Sequence, residues 1–408
     1  MNNIYNLIKN HGLPNAIIDH WDINSKRYAI WGFEEEFHVD YYGRSFINGK
    51  QIPLPFMPAW QETLNKWKSD NKKLSAIGYI SYDMKNLFFQ NIKFKNATSA
   101  NPLMWFGKPK LFKPFCINKN KINTSPFLSL VEDIPDINDY KFNIAKIKRY
   151  LKRGNSYQIN FTQPKKYNFF GNPLLIYLKM RDYIQPHYGM FLDLDNFTIL
   201  SFSPERFFNT HSRTISSLPM KGTRKRSSNI AEDEKLFNEL YNSPKDRAEH
   251  LMIVDLIRND IGKICDFGSV KVNNLYSIQS FNTVHQMVSE VYGNLKKDTT
   301  ESDIIKALFP GGSITGAPKE ESMKIIDELE NYNRGVYTGT LGYIENNGNM
   351  DFNIAIRTMS LTSDLITYPV GGGIVWDSIP SDEWQEAQQK SKILNPFIFK
   401  NKSELLSI

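Results

Sequence analysis

Residues 339–376, GTLGYIENNGNMDFNIAIRTMSLTSDLITYPVGGGIVW, decide the fold. Runs of β-branched and aromatic residues at 339–344 and 354–361, then a third strand-like run followed by Gly371, Gly372 and Gly373, are separated only by Asn, Gly, Ser and Asp breaks. Such runs bounded by turn formers read as strands. Strands that follow one another with no helix between them pair antiparallel and exclude a regular βαβ repeat. The expected class is therefore α+β with antiparallel sheets. Three consecutive glycines imply either backbone approach to a ligand or a plain bulge, and local sequence leaves both open.

Outward from this stretch, 3.6-residue periodicity predicts helices over 140–153, 232–241, 245–261, 302–308, 318–331 and 381–394, with strands at 156–162, 198–202 and 283–291. The first third shows short β-like runs at 28–33 and 76–82, broken by Pro and Asn clusters. Residues 119–125 contain only Lys, Asn, Ile, Thr and Ser and read as a linker, placing a boundary near 120–135 between an N-terminal region, 1–125, and a larger unit, 136–395.

The 408 residues suffice for a large core, and 41% hydrophobic and 13% aromatic content describes a folded globular chain. A formal charge of +7 comes from 50 basic against 43 acidic residues, with no basic run longer than the Lys221, Arg224, Lys225, Arg226 cluster. That pattern excludes a nucleic-acid stripe and favours a small anionic ligand. Cys116 and Cys265 are the only cysteines, which leaves neither a disulfide framework nor zinc spacing. No apolar run approaches membrane-span length and the first residues lack a signal-peptide core, so no membrane partner is expected and a cytoplasmic location is the default.

Several motifs carry chemistry. Residues 309–319, FPGGSITGAPK, run into a helical pattern; glycines admit a ligand to the backbone, and a helix N-terminus favours an anion, although a tight turn capping a helix explains the same letters. Lys319 does not complete a Walker loop, since Ala and Pro separate it from Gly316. Glu249 shares a helical face with Asp246, Met252, Ile253 and Leu256, while Glu383 and Glu386 lie three apart on another helix. A carboxylate heading an apolar stripe needs a partner, and a hard cation such as Mg2+ held by one or two carboxylates plus water fits better than zinc. For Glu383 a first-turn acid answering the helix dipole explains the position equally. Lys221 lies in a glycine-containing turn beside Arg224 and Arg226. A lysine in water, at pKa ~10.4, needs about 4.6 kcal/mol to be neutral at pH 7, a cost that neighbouring cations or burial reduce. His285 alternates with apolar residues and reads as a structural histidine.

Taken in order, YQINFT (157–162), SFSPERFF (201–208), PMKGTRKR (219–226), AEHLMIVDLIRNDIG (248–262), TVHQMVSEV (283–291), LFPGGSITGAPK (308–319), YTGTLGYI (337–344), DFNIAIRT (351–358) and GGGIVWDSIPSDEWQE (371–386) resemble the chorismate-utilising family of aminodeoxychorismate, anthranilate, isochorismate and salicylate synthases. The likeness covers about two-thirds of the chain; the N-terminal region resembles that of anthranilate synthase component I weakly, chiefly through GYISYD at 78–83, and lacks the Leu-Leu-x-Ser element of a tryptophan pocket.

The resemblance implies two antiparallel sheets packed as a sandwich with helices outside. It implies Mg2+ held by Glu249 and Glu386, with Asp246 and Glu383 holding its waters. Arg357, Tyr337 and the backbone at Gly371 and Gly373 would clamp the enolpyruvyl carboxylate, and Gly222, Thr223, Thr315 and Gly316 would line the ring, with Lys319 and His285 nearby. Gln158 stands where water-using members carry a lysine, and Lys221 stands where anthranilate synthases carry alanine. Together these imply amination at C4, with Lys221 as nucleophile, Glu205 as general acid, and ammonia supplied by a separate glutamine amidotransferase subunit. Neither cysteine has a glutaminase setting. The alternatives are an anthranilate synthase component I and a non-catalytic carboxylate-binding relative.

Overall fold

The strand Leu74–Ile80 is buried at every residue because it is flanked on both edges, by Met104–Pro114 on one side and by Thr340–Glu345 on the other. A strand covered on both edges and both faces needs no alternation, which is why LSAIGYI is almost wholly apolar. The computed structural model describes residues 3–20, 27–70, 72–95, 101–116, 127–281 and 284–399; the expected linker at 119–125 lies outside them.

One antiparallel strand network runs through the described residues. From Gln158–Phe169 it passes through Leu365–Ile374, Thr358–Thr362, Phe197–Ser203, Tyr188–Leu194, Ala16–Asp19 and Arg27–Val39. It continues through Met104–Pro114, Leu74–Ile80, Thr340–Glu345, Met350–Ile354 and Arg206–His211 to Thr214–Ser217 and Val284–Asn294. Strands from before residue 125 thus sit between strands from the larger unit and share its hydrogen bonds. One apolar cluster draws Ile18, Ile77 and Tyr79 from the first region together with Leu192, Ile199 and Leu341 from the second. Each such buried aliphatic side chain contributes roughly 1.5–3 kcal/mol, so the two regions stabilise one another.

Helices cover the network. Ile137–Lys152 is capped by the Asp136 side chain and buries Tyr140, Ile144, Ile147 and Leu151, a stripe spaced by three and four residues. Those side chains meet Ile325, Ile326 and Leu329 of Lys319–Leu329 and Ile159, Phe161 and Ile374 of the strands beneath. Pro244–Gly262 is capped by Ser243 and buries His250, Ile253 and Val254. Pro380–Ser391 carries Glu383 and Glu386.

Four expectations are corrected. The single strand over 354–361 is two, Met350–Ile354 and Thr358–Thr362, because Arg357 adopts φ +50° and interrupts the ladder. Lys221 lies in the strand Met220–Lys225 and not in a turn. The helix expected over 318–331 is Lys319–Leu329, and Pro318, its expected first residue, is instead the N-cap. The glycine triplet belongs to the strand Leu365–Ile374, facing Thr162, Phe161 and Asn160 across the ladder. Residue 283 lies outside the described residues, and the strand there starts at Val284. Among the described residues no helix is long and apolar enough to cross a membrane.

Candidate active site

Two ion pairs hold the strand Met220–Lys225 against the helix Pro244–Gly262: Lys221 Nζ lies 3.2 Å from Glu249 Oε2, and an Arg224 guanidinium nitrogen 2.9 Å from Asp246 Oδ2. Residues three apart share a helix face, but on a regular strand they point to opposite faces. A bulge reconciles the two spacings. Lys221 pairs with Met287 and Thr223 with Gln286, so Gly222 is the extra residue. It adopts φ +76°, and a Cβ there would lie 2.9 Å from Leu240 Cδ1 and 3.0 Å from Asp246 Oδ1. Glycine at 222 therefore turns both cations onto the acidic face of the helix.

The second pair of acids comes from Pro380–Ser391. A Cβ built on Gly372 would stand 3.6 Å from Glu383 Oε2 and 3.7 Å from Glu386 Oε1, so both carboxylates overhang the middle glycine of the triplet. Lys390 reaches back 2.8 Å to Glu386 Oε1 and donates to the Gly371 carbonyl at 2.7 Å, tying helix to strand. Burial pushes the Glu383 carboxyl up, the Ser378 hydrogen bond opposes this, and the Glu386 charge adds to it. Burial also acts upward on Glu386, but Lys390, Lys221 and Lys245 hold it below the usual glutamate value. Lys221 also lowers Glu383, so this one ammonium serves acids from both helices.

Glu205 completes the group. It follows the strand Phe197–Ser203, and its backbone is fixed on both sides: its N–H donates to Ser203 Oγ at 3.1 Å, and its carbonyl accepts from Ile354 N–H at 3.0 Å. Burial pushes its carboxyl up to about 7; the Ser313 hydrogen bond and the Lys221 charge act in the opposite direction. A buried carboxyl that is substantially protonated near neutrality suits a general acid. It lines a cavity of about 20 Å³ with Ser217, Ser313 and Asp260.

The residues expected to clamp a carboxylate differ in exposure. Tyr337 is buried at 7% exposure, and the Tyr337 and Tyr368 hydroxyls and the Arg357 charge act on one another in sequence. Arg357 is exposed and held in a left-handed conformation, a strained backbone of the kind that clusters at functional sites. Gly371 and Gly373 are tight: a Cβ would lie 2.1 Å from the Phe161 carbonyl at the first and 2.9 Å from the Gln158 side-chain amide at the second. Thr223 is exposed beside the bulge.

Other expected residues already have protein partners or close neighbours. His285 Nε2 lies 3.0 Å from Asp233 Oδ1 and its Nδ1 2.8 Å from Ser280 Oγ, so both ring nitrogens already have protein partners. Lys319 donates to Asp260 at 2.6 Å and to the Leu308 carbonyl at 3.1 Å. Thr315 turns its hydroxyl onto the Gly311 carbonyl at 2.9 Å. Gly316, at φ +147°, is needed because a Cβ would lie 1.9 Å from the Gln158 carbonyl. Asp246 is paired with Arg224 and packs against the Gly222 bulge.

The donor chemistry fits Mg2+. Glu249 and Glu386 offer only hard carboxylate oxygens, and the Lys221 ammonium is a built-in cation between them, acting on both. Among the described residues no three His, Cys, Asp or Glu side chains close a metal cage, so substrate and water oxygens would complete the shell.

Sequence reasoning missed Ser313 and Lys390, and marked Gly372 only as a member of the glycine triplet. Lys390 was legible as the cation four residues after Glu386. Ser313 is 108 residues from Glu205 and no spacing links them.

A family profile described as chorismate binding enzyme matches residues 20–396. Anthranilate synthase component 1 of Saccharolobus solfataricus is 37% identical over 340 residues, 80% of this chain and 81% of that protein. Aminodeoxychorismate synthase component 1 of Escherichia coli is 42% identical over 251 residues, 62% of this chain and 55% of that protein. The crystal structure of anthranilate synthase component I from Streptococcus pneumoniae superposes with a TM-score of 0.80 at 27% identity, covering 91% of this chain and 92% of that one.

Proposed function

Because the chain belongs to the chorismate binding enzyme family, we propose that it aminates chorismate at C4, giving 4-amino-4-deoxychorismate. The observation that carries this reading is Lys221, whose Nζ stands 3.2 Å from Glu249 and acts on the Glu205 carboxyl. Its amine would attack ring carbon C2 once it has given up its proton to solvent. As the N–C2 bond forms, the ring π electrons shift and the C4–O bond breaks, its electron pair leaving with oxygen. Glu205 donates its proton to that oxygen, which departs as water. Ammonia then attacks C4, the π electrons return, and the C2–N bond breaks to free Lys221. The amino group ends para to the ring carboxylate, and the enolpyruvyl ether is retained.

Glu249 and Glu386 would hold Mg2+ against the ring carboxylate, where the ion draws electrons from the ring. Arg357 and Tyr337 would bind the enolpyruvyl carboxylate, a guanidinium matching it with paired hydrogen bonds. Ammonia would come from a glutaminase subunit, in keeping with relatives named component 1.

A second reading has its own support: the Saccharolobus solfataricus anthranilate synthase component matches over 80% of the chain and the Escherichia coli aminodeoxychorismate synthase component over 62%. The two differ in where nitrogen lands. Incubation with chorismate, Mg2+ and an ammonium salt, followed by mass spectrometry, is expected to yield an aminated product that still carries the enolpyruvyl group. Direct release of anthranilate would overturn the proposal.

A further inference from the structure

We propose that Ser313 is the positioning residue for Glu205: its hydroxyl holds Oε1, so that Oε2 is the oxygen carrying the proton delivered to the departing C4 hydroxyl. The inference rests on the reading of Glu205 as general acid. Ser313 Oγ lies 3.1 Å from Glu205 Oε1 and donates to it. An oxygen accepting that bond is the worse site for the acid proton, which leaves Oε2 to carry it.

The serine is itself held firmly. It is the middle residue of the single turn Gly312–Ile314. A Cβ at Gly312 would lie 2.2 Å from Leu256 Cδ2 and one at Gly311 2.9 Å from Ile354 Cδ1, so the turn is pressed against the helix Pro244–Gly262 and against Ile354. Thr315 Oγ1 closes it from behind through the Gly311 carbonyl at 2.9 Å. Ile354 anchors the other partner too, since its N–H donates to the Glu205 carbonyl at 3.0 Å and its carbonyl accepts from Ser203 Oγ at 2.6 Å. Both ends of the Ser313–Glu205 contact are therefore referred to Ile354, the turn through its packed side chain and Glu205 through its backbone.

The hydroxyl also tunes the acid. Burial raises the Glu205 carboxyl, and the Ser313 bond is the largest effect opposing it. Without that donor the ionised form loses a stabilising partner and the carboxyl rises further.

The test compares pH profiles of kcat for wild type, Ser313→Ala, Ser313→Cys, Ser313→Thr and Glu205→Gln at saturating chorismate and ammonia. Ser313→Ala should lower kcat about tenfold at pH 7, a share of the 10²–10⁴ that general acid catalysis supplies, with KM within about twofold. Its alkaline limb should move to higher pH, Ser313→Cys should fall between, and Ser313→Thr should restore the wild-type profile. An alkaline limb and a kcat unchanged in Ser313→Ala overturn the positioning role while leaving the acid in place. Full activity in Glu205→Gln overturns the acid assignment itself and the inference with it.

Discussion

The Lys221 ammonium sits 3.2 Å from Glu249 Oε2, on the carboxylate assigned to Mg2+. If Glu249 holds Mg2+ as proposed, Lys221 and the ion would compete for one oxygen, and ion binding would free the lysine from this contact. Lys221→Ala should bind Mg2+ about threefold to tenfold more tightly, corresponding to a partly exposed ion pair worth about 1 kcal/mol. Glu249→Gln and Glu386→Gln should bind it at least about tenfold more weakly. Isothermal titration of the substrate-free protein checks this, and weaker binding in Lys221→Ala contradicts it.

Gly222 makes the arrangement possible, and its replacement should be felt in both stability and rate. Gly222→Ala places a Cβ 2.9 Å from Leu240 at φ +76°. The strain should cost about 1–3 kcal/mol in urea unfolding. Displacing Lys221 from its register should lower kcat about a hundredfold. A variant with wild-type stability and rate would mean that the bulge is incidental.

Glu205 should make stability fall with pH. Its folded carboxyl is raised to about 7 from an ordinary value near 4.5, so the native state holds the proton more tightly than the unfolded chain does. That contribution is fully present below pH about 4.5 and is lost as pH rises through about 7. Glu205→Gln cannot ionise, so its stability relative to wild type should increase by up to about 3 kcal/mol between pH 5 and pH 8. Urea midpoints at the two pH values measure the gap; a constant gap contradicts the raised value.

Arg357 is exposed and left-handed, and its loss should touch ligand more than fold. Arg357→Ala should leave Tm within about 2 °C of wild type, as surface substitutions do. KM for chorismate should rise at least about tenfold, and Arg357→Lys should not restore it, because an ammonium cannot make the paired contact. An unchanged KM removes Arg357 from the clamp.

The elements that position these residues were largely legible because periodicity reports burial. The stripe Tyr140, Ile144, Ile147, Leu151 and the all-apolar run LSAIGYI announce a covering helix and a covered strand. The break at Arg357 was not legible, since nothing in NIAIRTMS marks a left-handed residue and arginine rarely adopts that conformation. Glu249, Glu383 and Glu386 stood out by helical spacing, whereas Ser313 could be linked to Glu205 only through a fold that joins residues 108 apart. His285 shows the reverse: the alternating pattern around it described a structural histidine, and Asp233 and Ser280 occupy both its nitrogens.

The covalent step at Lys221 is the claim on which the account turns. Protein mixed with chorismate and Mg2+ in the absence of ammonia, acid-quenched and digested, should yield a peptide containing Lys221 heavier by the mass of chorismate less one water. Adding ammonia before the quench should clear it. If that lysine stays unmodified while the same preparation aminates chorismate normally, nitrogen reaches the ring by another route and the assigned chemistry is wrong.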